Sequence, residues 1–310
     1  MSSLKEIKSR IASVRNTQKI TSAMRMVASA KLHRTQSLSE NFLRYASELR
    51  SVAECLQTAQ RSEEGSVKTV AIVCFSSSSG LCGAFNSNII KATHQRVAEY
   101  TAKGTAVMLL PVGKKIADEI RKGPSLTACF DFSTMNERVE KGDAYELACK
   151  LIDHLLKLYA ENKIQRIELV YHHFKSMGQQ VISYKPLPIQ KPIAGPLQED
   201  LITEPPPQEL ADILYPKQLR AELYATLLDA STSEHAARMM AMQTADDNAN
   251  ELLQELTLLY NKTRQQSITN ELIDIMGGKI ASRNTLLKPP SSRGHFCRIG
   301  GTPLKPHNLT

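Results

Sequence analysis

From Leu4 to Leu56 an apolar residue recurs every three or four positions. Leu4, Ile7, Ile11 and Val14 open the stripe, Ile20, Met24 and Val27 continue it, and Leu38, Phe42, Tyr45, Leu49, Val52 and Leu56 close it. That period predicts one amphipathic helix over 1–62. The first 60 residues hold neither Gly nor Pro, and Ser3 with Glu6 has the spacing of a capping box. At 1.5 Å per residue such a helix extends roughly 85 Å, more than a compact domain of this size uses. It is expected to belong to a coiled coil or another elongated structure.

The pattern then changes period. Val67–Phe75, Thr105–Val112, Leu126–Phe132, Ile164–His172 and Val181–Pro188 read as strands, with helical stretches at 84–102, 113–122 and 136–162 between them. Alternation of this kind predicts a Rossmann-like α/β domain over 66–190 with a mostly parallel sheet. Eight of the fourteen prolines fall within 186–216, so 191–216 is expected to be a Pro-rich linker. A second stripe over 217–281 runs through Leu219, Leu223, Leu227, Met239, Met242, Ala249, Leu252, Leu256, Leu259, Ile268, Leu272 and Ile275, and Gly277-Gly278 is expected to stop it. Long helices at both ends of the chain around an α/β domain predict that the terminal helices pair as an antiparallel coiled coil. Residues 282–310 carry five Lys/Arg and no acid, and read as a disordered basic tail.

Charge sharpens this outline. The chain carries a formal net charge of +8, and residues 1–61 hold eleven Lys/Arg against four Asp/Glu. A local basic excess points to an acidic partner, whether nucleic acid, anionic lipid or an acidic protein surface. No apolar run approaches the ~20 residues that span a bilayer, and the N-terminus lacks the apolar region of an export signal. The six cysteines are scattered without a CxxC pair, which predicts free thiols in a reducing compartment.

The sequence offers little chemistry. A phosphate loop needs glycines that aim N–H groups at phosphate, followed by Lys and Ser/Thr. Val112-Gly113-Lys114-Lys115 and Gly277-Gly278-Lys279-Ile280 each lack parts of it, and Gly80-Leu81-Cys82-Gly83 is GxxG rather than GxGxxG. Cys82 lacks a histidine base placed beside it by sequence, and His172 and His173 alternate faces of a strand. No catalytic, cofactor or metal residue is therefore assigned. Polar residues do interrupt both stripes, at Asn16, Thr17, Gln18 and Thr21 and again over 261–267. They are either solvated faces and register-fixing seams or the places where another protein grips the coiled coil.

Four blocks resemble the gamma subunits of F-type ATP synthases: Ser3–Leu32, Gly80–Asn86 (GLCGAFN), Ser233–Asn248 (SEHAARMMAMQTADDN) and Leu258–Gly277. They stand in family order across roughly 1–281. The resemblance implies a non-catalytic rotor shaft, one copy per complex, whose coiled coil lies inside a ring of alpha and beta subunits. Its α/β domain would sit near the epsilon subunit and the c-ring. It implies no cofactor, no nucleic acid, and membrane association only through the complex, at the cytoplasmic face of a bacterial inner membrane (or, alternatively, the mitochondrial matrix side). Met24 and Arg25 would face the acidic lever loop of beta. Arg238, Gln265, Thr269 and Glu271 would form a polar cluster joining the helices to the stator, and Arg264 with Gln265 a catch on a beta loop. Many members carry Asp-Arg before the GLCG turn where this chain has Ser76–Ser79, and 282–310 matches nothing in the family pattern. The alternative, a basic coiled-coil nucleic-acid binder or adaptor, would require a basic stripe. Lys5, Lys8, Arg15, Lys19, Arg25 and Lys31 instead spread around the helix.

Overall fold

A computed structural model describes residues 4–59, 67–122, 132, 135–139, 142–189, 193–194 and 203–285. The chain divides into two units, Ala12–Leu253 and a second made of Met1–Ile11 with Gln254–Thr310. In chain order the elements are α1 (Leu4–Leu56), β1 (Gln57–Ala59), β2 (Thr69–Phe75), α2 (Phe85–Ala102), β3 (Ala106–Val112), α3 (Lys114–Lys122), α4 (Met135–Val139), α5 (Ala144–Ala160), β4 (Arg166–Ser176), β5 (Gln179–Leu187), β6 (Ile193–Ala194) and α6 (Pro207–Thr285).

The larger unit is built on a four-stranded sheet of order β3-β2-β4-β5. β2 pairs in parallel with β3 and with β4, and β4 pairs antiparallel with β5. The central strand, TVAIVCF, is apolar along its length because both of its faces are covered. On one face Ala71, Val73, Leu169 and Ile167 meet Leu151, Ile152 and Leu155 of α5 and Leu219, Leu223 and Leu227 of α6. On the other, Ile72, Cys74 and Val170 meet Ile89 and Tyr100 of α2 and Ile116 and Ile120 of α3. Burial in this dry layer pushes the Cys74 thiol up to about 12. The sheet thus lies between two helical layers, the Rossmann-like arrangement expected from the alternating pattern.

Within this unit α1 and α6 run antiparallel. Gln18, Arg25 and Arg50 meet Asn250, Gln243 and Glu222 respectively, so one number falls as the other rises. β1 and β6 form a small antiparallel ladder that the pattern did not announce.

Several boundaries differ from expectation. The helix expected over 136–162 is split into α4 and α5 at Gly142, whose φ of 92° is easy for glycine and costly for other residues. α6 starts at Pro207, inside the expected linker, because proline at a first helical position loses only a donor that has no partner there. It carries Pro216 internally and continues through Gly277-Gly278 to Thr285, past the expected stop. Each helical glycine costs only about 1 kcal/mol relative to alanine. Of the strand expected at 126–132, only Phe132 is described, bridging Val112 in parallel. Ser3 of the capping box, residues 191–192 and 195–202 of the linker, and 286–310 of the tail lie outside the described residues.

Candidate functional site

The inward face of α1 follows a strict alternation of three and four. In the larger unit its buried or half-buried positions include Val14, Gln18, Thr21, Arg25, Ala28, Leu32, Thr35, Ser39, Phe42, Ala46, Leu49 and Ala53. This corrects the apolar stripe proposed above for the middle of the helix. Ile20 is 61% and Val27 55% exposed, and Leu38, Tyr45 and Val52 are exposed as well. From Gln18 to Ser39 the residues that face inward are small or polar apart from Leu32, and the threonine hydroxyls bond to their own helix: Thr21 Oγ1 donates to the carbonyl of Gln18 at 3.0 Å and Thr35 Oγ1 to that of Lys31 at 3.1 Å.

Met24 and Arg25 are half-buried on this face. The Arg25 guanidinium donates to Gln243 and lies 3.9 Å from Asp246, and Gln18 Nε2 donates to Asn250 at 2.6 Å. The polar interruption near Gln18 is therefore a polar seam between the two helices, as a register-fixing position is. Arg25, Met26 and His33 of α1 and Met239, Met240 and Gln243 of α6 border a groove of about 530 Å³.

Arg238 is buried to 9% exposure. It donates to Glu234 Oε1 at 2.9 Å and to Ser79 Oγ at 2.8 Å. Its partners thus lie on its own helix and in the turn after β2. That turn accounts for the serine run. Ser76 Oγ accepts the Ile116 amide at 3.0 Å, and Ser77 donates its amide to Asn86 Oδ1 at 3.0 Å. Asn86 Nδ2 also donates to Cys82 Sγ at 3.1 Å, so the buried thiol serves to hold the turn. Leu81 and Gly83 have φ of 63° and 59°, and a side chain on Gly83 would meet Ala241 of α6 at 3.8 Å. The GLCG motif is a tight turn seated against α6. His172 and His173 do take opposite sides of β4, one buried and one exposed.

The second unit comprises Met1–Ile11 and Gln254–Thr310. Ile7 is buried in it, and Leu256, Tyr260, Thr263 and Ser267 form its half-buried seam. Arg264, Gln265, Thr269 and Glu271 are all exposed on α6. Thr269 Oγ1 donates to the Gln265 carbonyl at 2.9 Å, and Ser267 Oγ to Glu271 Oε1 at 3.5 Å. Leu258 is 72% exposed, and Leu272, Ile275 and Met276 are exposed with it. Sequence reasoning missed Asp229, Ser233 and Ser79 as structural ties, since nothing in a Ser or Asp on a helix tells which strand it will meet.

The family model described as ATP synthase matches residues 3–281. The ATP synthase gamma chain of Parabacteroides distasonis is 49% identical over 291 residues, covering 91% of this chain and 100% of that one. The chain belongs to the ATP synthase gamma-chain family. The gamma chain of Bacteroides fragilis is 46% identical, again over 91% of this chain and 100% of its own length. Among solved structures, a chain from Euglena gracilis mitochondrial ATP synthase (OSCP/F1/c-ring, rotational state 3) has a similar fold. It matches with a TM-score of 0.65 at 18% identity, over 94% of this chain and 99% of that chain. Gamma-chain membership makes the protein a component of an ATP-synthesising complex. Among the described residues no helix is long and apolar enough to cross a membrane.

Proposed function

We propose that the chain is the central rotor shaft of a proton-translocating F-type ATP synthase and is itself non-catalytic. The observation that carries this reading is the antiparallel pair of α1 and α6, in which the inward positions of α1 from Gln18 to Ser39 are small or polar apart from Leu32, while Ile20, Met26 and Val27 face outward. Such a rod offers a partner ring scattered apolar contacts rather than one interlocking patch. Single copies of the chain would turn inside a ring of alpha and beta subunits, with epsilon and the c-ring at the α/β domain. Membrane attachment would be peripheral, at the cytoplasmic face of the bacterial inner membrane. Each charge crossing the membrane supplies about 2.3 kcal/mol per 100 mV, and the asymmetric shaft converts it by contacting the beta subunits differently at each angle.

Within this function Met24 and Arg25 contact the lever of beta, and Arg264 with Gln265 forms the angular catch. Arg238, Gln265, Thr269 and Glu271 supply the polar contacts that join the helices to the stator. The test is ATP hydrolysis by purified alpha and beta subunits with and without this chain, beside the chain alone. An inactive chain that yields an assembled, steadily hydrolysing and rotating complex supports the proposal. A chain that neither co-purifies with the ring nor alters its activity overturns it.

A further inference from the structure

β4 runs past its neighbour. Its pairing with β2 ends at Cys74 and Val170, yet β4 continues to Ser176 against β5. A strand that outlasts its partner leaves main-chain donors and acceptors at a covered edge, where each is costly if unpaired. α6 occupies this edge. Ser233 Oγ donates to the His172 carbonyl at 2.9 Å, and the Phe174 amide donates to Asp229 Oδ1 at 2.9 Å. The other Asp229 oxygen lies 2.6 Å from His173 Nδ1.

The two repeats match in length. Residues 172 and 174 are two steps apart on a strand, ~6.6 Å, while 229 and 233 are four steps apart on one helix face, ~6.0 Å. Helix side chains therefore stand in for the missing strand. The ties extend along α6: Arg220 holds Asp153 of α5 at 2.6 Å, and Arg238 reaches Ser79 at 2.8 Å.

We infer that Asp229 and Ser233 are torque-bearing positioning residues, clasping the main chain of β4 so that the sheet and the coiled coil of this unit turn together. The inference rests on the shaft reading. The apolar core between α6 and the sheet resists separation, but hydrophobic contact is non-directional and yields to sliding. Hydrogen bonds from helix side chains to strand main chain fix the one against the other. Because an aspartate and a serine reach main-chain groups, the clasp is indifferent to which side chains β4 carries at 172 and 174.

The experiment uses the complete complex with the full chain. In Asp229→Ala/Ser233→Ala, exchange of the Phe174 amide should rise by roughly ten- to a hundredfold, the effect of losing a hydrogen bond to a charged group. Hydrolysis without load should stay at the wild-type rate. A probe on the α/β domain should show a wider angular spread while the ring holds the coiled coil, and Asp229→Asn, which keeps the acceptor, should restore most of the stiffness. Asp229→Ala alone, which removes the acceptor of the Phe174 amide, is read in the same way if the double variant does not fold. Raised exchange with an unchanged angular spread overturns the torque role, and unchanged exchange overturns the clasp. Failure of the wild-type chain to rotate would strike the shaft reading instead, while the exchange result would still judge the clasp.

Discussion

Arg96→Met is expected to destabilise the α/β layer by about 3–5 kcal/mol, the cost of stranding one partner of a buried ion pair. Glu168 points from β4 into the layer beneath α2 and is only 1% exposed. Arg96 meets it with two parallel hydrogen bonds, Nε to Oε2 at 2.9 Å and Nη2 to Oε1 at 2.6 Å. These bonds raise the guanidinium further above its usual value. Its plane also sits 5.0 Å from the Tyr100 ring and 5.3 Å from that of Tyr184. Methionine fills much of the volume but takes the partner charge and both guanidinium hydrogen bonds from the carboxylate, leaving it the Tyr100 hydroxyl. A loss of ~3 kcal/mol lowers the melting temperature by roughly 6–12 °C for a unit of this size. The assay is thermal unfolding of wild type, Arg96→Met, Glu168→Gln and the double variant at several pH values. Arg96→Met should show the largest deficit of the four. The double variant should recover most of it. A loss under about 1 kcal/mol, the worth of an exposed pair, would refute the argument that Glu168 is desolvated.

Three further outcomes are expected. Burial pushes the His172 imidazole below its usual value while Nε2 donates to the Phe85 carbonyl at 3.0 Å. The folded state thus prefers the neutral ring, so its contribution is complete above the ordinary histidine range of about 6.5 and is lost as pH falls below it. His172→Gln should flatten the fall of melting temperature between about pH 7 and 5, and an unchanged slope would remove His172 as the cause. Gly113 has φ of 102°, and an added Cβ would collide with the Ser76 carbonyl. Gly113→Ala should therefore cost at least about 1–3 kcal/mol in denaturant unfolding, and a neutral result would refute the close approach. Arg264→Ala with Gln265→Ala, both side chains exposed on α6, should lower turnover or torque while assembly is retained. Unchanged synthesis and hydrolysis would remove the catch.

The sequence by itself determined the ends and the middle of this protein in outline. The apolar, β-branched run Val67–Phe75 read as a strand, and the three-four spacing of Leu4, Ile7, Ile11 and Val14 read as one face of a helix. Four motif blocks carried the family. Only the tertiary structure decided which face of α1 turns inward beyond Val14. A heptad seam continues by geometry whatever its residues are, and here it passes through Thr21, Ala28, Thr35 and Ser39 while Ile20 and Val27 look outward. Hydrophobicity marks a face by what it removes from water. A face of small residues, whose hydroxyls bond to their own helix, carries no such mark. The ties of Asp229, Ser233 and Arg238 were hidden for a related reason: each joins residues at least 55 positions apart, and no local pattern records which distant main-chain group a polar side chain will find.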